Sequence, residues 1–107
     1  MSDEFDRRED GFEKRFVINE ELRFKALARR NKTLGHWAAE RLGRKGEAAQ
    51  AYADALVAAQ VGRGDDDVAA ALAHDFAAAG LDISAHRIGR KMMEAMAEAV
   101  AEIKAGR

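Results

Sequence analysis

Three glycines, Gly43, Gly62 and Gly80, divide most of this chain into blocks whose apolar side chains recur every three or four residues. That spacing belongs to a helix with one buried face and not to a strand, where the repeat is two. A glycine just beyond such a block closes a helix, because it alone takes the left-handed backbone conformation at no steric cost. Proline is absent and β-branched residues are few, so nothing within the blocks interrupts a helix. The starts match the stops. Asn19, Gly46, Asp65 to Asp67, and Ser84 precede the four blocks, and these residue types cap free backbone N–H groups or oppose the helix dipole. Ile83 and Ile88 flank Ser84 at the spacing of a hydrophobic staple.

The pattern predicts an all-α protein, a four-helix bundle over residues 19–107. Leu27, Leu34, Ala38 and Leu42 form the first apolar stripe, with Leu22 and Phe24 near its beginning and Trp37 beside it as the expected core anchor. Ala49, Tyr52, Ala53 and Leu56 form the second, and Val68, Leu72, Phe76 and Ala79 the third. Ile88, Met92, Ala95, Met96, Ala99 and Ile103 form the fourth. Gly35 and Gly89 lie inside helices, where each costs about 1 kcal/mol relative to alanine, so a closely packed neighbour is expected at both.

Charge and motif content narrow the function. With 18 basic and 19 acidic residues the net charge is -1, which supplies no field for nucleic acid or for insertion at an anionic membrane. Cysteine is absent, no apolar run nears the roughly 20 residues that span a bilayer, and the acidic start is unlike a secretory signal, so a cytoplasmic protein is expected. His36, His74 and His86 lack metal-ligand spacing. Asp65, Asp66 and Asp67 lack the alternation of a calcium loop and are better used at a helix start. Gly62-Arg63-Gly64 has neither the lysine nor the hydroxyl of a phosphate loop. The only serines are Ser2 and Ser84, and no nucleophile stands beside a base, so no enzymatic activity, metal or cofactor is expected. Met92, Met93 and Met96 read as core filling. Arg29, Arg30, Lys32, Arg41, Arg44 and Lys45 read as a solvated basic face, the alternative being a small cytoplasmic module that binds nucleotide or phosphate there.

Residues 1–18 differ from the rest. They are dense in charge and hold Phe5, Phe12 and Phe16, which on a helix fall within about 40° of one line. Acid precedes base at i,i+4 in Asp3 with Arg7, Glu4 with Arg8, and Asp10 with Lys14, each worth about 0.2–0.5 kcal/mol. Gly11 and the short length oppose a stable isolated helix. A charged segment with a reserved aromatic stripe is what a helix that folds on a partner requires. The expected division is therefore a mobile, conditionally helical N-terminal segment, residues 1–18, ahead of the bundle.

The stretch from Glu21-Leu22-Arg23-Phe24-Lys25 through Thr33-Leu34-Gly35-His36-Trp37-Ala38-Ala39-Glu40-Arg41-Leu42-Gly43 resembles the most characteristic segment of the zeta inhibitor subunits of alphaproteobacterial F-type ATP synthases. Gly64-Asp65-Asp66-Asp67-Val68, Ile88-Gly89-Arg90-Lys91-Met92, Phe5-Asp6-Arg7-Arg8-Glu9 and Phe12-Glu13-Lys14-Arg15-Phe16 are similar to that family as well. The resemblance implies a four-helix protein whose N-terminus becomes a helix wedged between catalytic subunits of the ATP synthase head, blocking hydrolysis while sparing synthesis. On that reading Phe5, Phe12 and Phe16 anchor the wedge, and Arg7, Arg8, Glu13, Lys14 and Arg15 tune its polar contacts. It also implies a place on the cytoplasmic face of the inner membrane, through the ATP synthase, and weak adenine nucleotide binding at residues it does not assign. Where the family usually has alanine, this chain has Gly11.

Because every cap and every complete stripe lies beyond residue 18, deleting residues 1–18 should leave helicity and cooperative melting nearly intact. Circular dichroism of the truncated chain checks this, and loss of the cooperative transition would place the phenylalanine stripe in the core.

Overall fold

Helix α1, Glu20–Arg41, opens with two acidic residues, Glu20 and Glu21, and closes with Arg41, so charges oppose the dipole at both ends. The structure is a computed structural model that describes residues 20–107. Asn19, the expected cap of α1, lies outside the described residues. Helices α2, Gly46–Ala59, α3, Asp65–Ala78, and α4, Ala85–Lys104, follow in order. The described residues therefore form the expected four helices.

The glycine stops work as the sequence requires. Gly43 has φ +80°, the Arg44 N–H donates to the Ala39 carbonyl at 2.9 Å and the Gly43 N–H to the Glu40 carbonyl at 3.1 Å. This paired closure satisfies carbonyls that a helix end leaves free. Gly80, with φ +74°, repeats it, with Leu81 bonded to Phe76 at 2.8 Å and Gly80 to Ala77 at 3.0 Å.

Two of the expected starts are corrected. The cap of α2 is Lys45 rather than Gly46, and the cap of α3 is Gly64 rather than an aspartate, neither with a side-chain capping bond. Asp65, Asp66 and Asp67 lie one position later, inside the first turn, where their charge still opposes the dipole. Ser84 does cap α4, its Oγ accepting from the Arg87 N–H at 3.0 Å.

Helix α1 packs against both α2 and α4, and α3 closes over α4. The core joins Leu34 and Ala38 of α1, Leu56 of α2, Val68, Leu72 and Phe76 of α3, and Ile88 and Met92 of α4. Trp37 is not the anchor. It lies three residues from Leu34, about 60° around the helix, which turns it to the rim of the core. There its ring meets Phe76 edge-on, centroids 5.6 Å apart, while the Arg41 guanidinium lies 5.9 Å from the Trp37 ring centroid. Phe76 takes the anchoring role instead, 1% exposed. Ala79, expected on the third stripe, is the exposed cap residue that ends α3.

The two internal glycines part company. A Cβ on Gly35 would stand 2.7 Å from Ala53 Cα and 3.0 Å from Ala53 Cβ, so α1 and α2 touch backbone to backbone there. A Cβ on Gly89 meets nothing within 4 Å, which overturns the expectation of a close neighbour. A second link joins α2 to α3, where the Tyr52 hydroxyl donates to Asp75 Oδ2 at 2.6 Å and Arg44 lies over the Tyr52 ring at 5.1 Å. Burial first, then the bond to Asp75, push the Tyr52 pKa well above its ordinary value near 10.

Gly35→Ala should lower the free energy of urea unfolding by about 1–3 kcal/mol, the usual cost of overpacking. Gly89→Ala should raise it by up to about 1 kcal/mol, since the site has room and alanine is the better helix former. Tyr52 supplies a pH dependence. The folded state keeps the phenol proton to a higher pH than the unfolded chain, so above pH 10.0 the unfolded state binds fewer protons and stability falls as pH rises. Urea titrations between about pH 9 and 12 should show a steeper loss for the parent than for Tyr52→Phe.

Candidate interaction surface

The eight residues expected to contact a partner, Phe5, Arg7, Arg8, Phe12, Glu13, Lys14, Arg15 and Phe16, all lie outside the described residues. The surface next to their point of attachment is the first half of α1.

The basic run along α1 does not converge on one anion site. Arg29 reaches the other end of the chain, with Nη1 3.5 Å from Glu102 Oε1 and Nη2 donating to the Arg107 carbonyl at 2.5 Å. Arg30 is buried at 3% exposure, its Nε donating to Asn31 Oδ1 at 2.9 Å and its Nη1 to Asp65 Oδ1 at 2.8 Å. Arg41 and Arg44 lie over aromatic rings, and Lys32 and Lys45 face solvent. These separate engagements weaken the reading of a phosphate-binding face.

The buried pair Arg30 and Asn31 is the feature that sequence reasoning missed. The signal was present, because Ala26, Arg30, Leu34 and Ala38 follow one another at i,i+4 and all four are buried. Arg30 therefore belongs to the inner stripe, where its charge is compensated by Asp65 at the start of α3. Asp65 itself remains 71% exposed, so the ion pair points from the interior toward solvent.

Met92 is buried and Met96 partly so, as core filling requires, but Met93 is 74% exposed and corrects that reading for one of the three. It borders a cleft of about 710 Å³ between α1, α3 and α4 that Gly89 helps to line, which accounts for the open space above that glycine. A second cleft, about 290 Å³, lies between the first half of α1 and the end of α2, lined by Arg23, Phe24, Leu27, Val57, Gln60 and Val61 among others. Phe24 and Val61 leave 58% and 57% of their surface exposed, and the Gln60 side-chain oxygen is buried without a hydrogen-bond donor among the described residues.

His36, His74 and His86 are exposed, and among the described residues no group of three or more histidine or carboxylate side chains is placed to share a metal ion. No helix of the described residues is long and apolar enough to cross a membrane.

No curated protein matches the chain in a sequence comparison. The family model described as ATPase inhibitor subunit zeta matches residues 1–102, which takes in the phenylalanine stripe, all three glycine stops and the Ser84 cap. With its helices, stops and basic first helix already accounted for, the chain belongs to the ATPase inhibitor subunit zeta family.

Proposed function

We propose that this protein is the inhibitor subunit of an F-type ATP synthase and acts through residues 1–18, which turn helical when they insert at an interface between catalytic subunits of the head. The observation that carries the reading is the extent of the family match, residues 1–102, which includes the charged phenylalanine segment as well as the bundle. The bundle of residues 19–107 then serves as dock and handle, and the protein performs no chemistry. It sits on the cytoplasmic face of the inner membrane through its partner.

The physics is that of a pawl. Rotation in the hydrolytic direction closes the interface on the inserted helix, whereas rotation in the synthetic direction opens it and lets the helix go. Burying one phenylalanine contributes roughly 1.5–3 kcal/mol, while ordering the backbone costs about 1–2 kcal/mol per residue, only partly offset by new helix bonds. No single anchor can hold the segment, so Phe5, Phe12 and Phe16 act together, with Arg7, Arg8, Glu13, Lys14 and Arg15 setting the polar contacts. Before insertion the segment is disordered, and Gly11 raises the entropy lost on ordering it.

Phe12→Ala combined with Phe16→Ala should abolish inhibition of ATP hydrolysis without lowering the melting temperature, and Gly11→Ala should strengthen inhibition by restricting the unbound chain. Hydrolysis assays with the isolated ATP synthase, paired with amide relaxation of the free protein, check both. A double variant that inhibits as well as the parent, or a rigid N-terminus in solution, would reject the wedge.

A further inference from the structure

From Glu20 to Lys25 every residue of α1 except Leu22 is exposed, so the large apolar side chain in this stretch, Phe24, is left uncovered by the other described helices. Phe24 lies one turn after Glu20 and lines the smaller cleft together with Val61, just past the end of α2. Isolated exposed apolar residues need no explanation, but this pair is joined by two further features. The Gln60 side-chain oxygen, in the same cleft, is buried with no donor among the described residues, a state that costs free energy unless a donor arrives. Arg23 and Arg63, also lining it, are exposed, and neither guanidinium has an ion-pair or hydrogen-bond partner among the described residues. Elsewhere on α1 the arginines are engaged, Arg29 with Glu102, Arg30 with Asp65 and Arg41 with Trp37.

We propose that this shoulder, Phe24 and Val61 flanked by Arg23 and Arg63, is a second docking surface, and that its occupant is the ATP synthase surface beside the point where residues 1–18 enter. The position of the chain's attachment argues for that occupant. Residues 1–19 join α1 at Glu20, and the four residues from Glu20 to Phe24 advance only about 6 Å along the helix, so a partner that grips the segment up to its junction with α1 lies beside Phe24. The complementary surface carries apolar side chains over Phe24 and Val61, carboxylates opposite Arg23 and Arg63, and a donor for Gln60. The proposal rests on the reading of residues 1–18 as the inserted segment. The two surfaces then differ in what they do, since the segment blocks rotation while the shoulder holds the bundle in place and raises the affinity of the whole chain.

The test is a titration of ATP hydrolysis by the isolated ATP synthase with the full-length protein. Phe24→Ala combined with Val61→Ala should raise the half-inhibitory concentration at least about tenfold while maximal inhibition is retained, as expected on losing two central apolar contacts. Arg23→Glu combined with Arg63→Glu, both at solvent-facing sites that cannot disturb the core, should slow the onset of inhibition and reduce its sensitivity to salt. Parent-like half-inhibitory concentrations for both double variants would overturn the proposal. So would sedimentation showing that the free parent self-associates and that Phe24→Ala with Val61→Ala abolishes it, because the occupant would then be a second copy. If Phe12→Ala with Phe16→Ala leaves inhibition intact while the shoulder variants weaken it, the wedge fails and the shoulder stands as the main contact.

Discussion

The contact between Gly35 and Ala53 sets the spacing on which the bundle depends. Helices ordinarily lie 8–10 Å apart because side chains separate them. Removing the Cβ at one position brings the backbone of α1 against Ala53, to a distance that even a methyl group would violate. Leu34, one residue before that contact, and Ala38, three residues after it, are then carried to complete burial against Leu56 and the residues of α3 and α4. Close approach of small residues at this crossing thus lets a small chain bury its larger side chains, Leu34, Leu72, Phe76 and Ile88 among them.

Features governed by neighbours in the chain were legible in the sequence. Glycine closure at Gly43 and Gly80 and the Ser84 cap depend on the backbone within one turn, and each is found where the residue types place it. Features governed by another helix were less so. Gly35 and Gly89 look alike in sequence, yet one meets Ala53 and the other faces a cleft, because only the crossing of helices decides which glycine has a neighbour. Trp37 lies at the rim rather than the centre for the same reason, since about 60° on α1 separates it from Leu34, while Phe76 is buried on its stripe as expected. The charge of Arg30 points to the basic face, whereas its spacing from Ala26 and Leu34 places it inside. The expected partner-binding residues, from Phe5 to Phe16, lie outside the described residues, so their reading still rests on the aromatic spacing and on the family.

The proposed function separates folding from binding. Among the described residues, the bundle is held by local closures, an inner apolar stripe and a few polar ties, notably Arg30 to Asp65 and Tyr52 to Asp75. On the proposed function, the phenylalanine stripe of residues 1–18 is spent on a partner rather than on this core. On that proposal, inhibition is graded by the entropy of the segment, which Gly11 raises in the unbound chain.

The central claim is that inhibition resides in the segment ahead of α1. Its most direct test is to compare the full chain with a chain beginning at residue 19 as inhibitors of ATP hydrolysis by the isolated ATP synthase head. The full chain should inhibit, and the truncated one should not at any concentration where the bundle remains folded. Inhibition of comparable depth by residues 19–107 alone would contradict the claim.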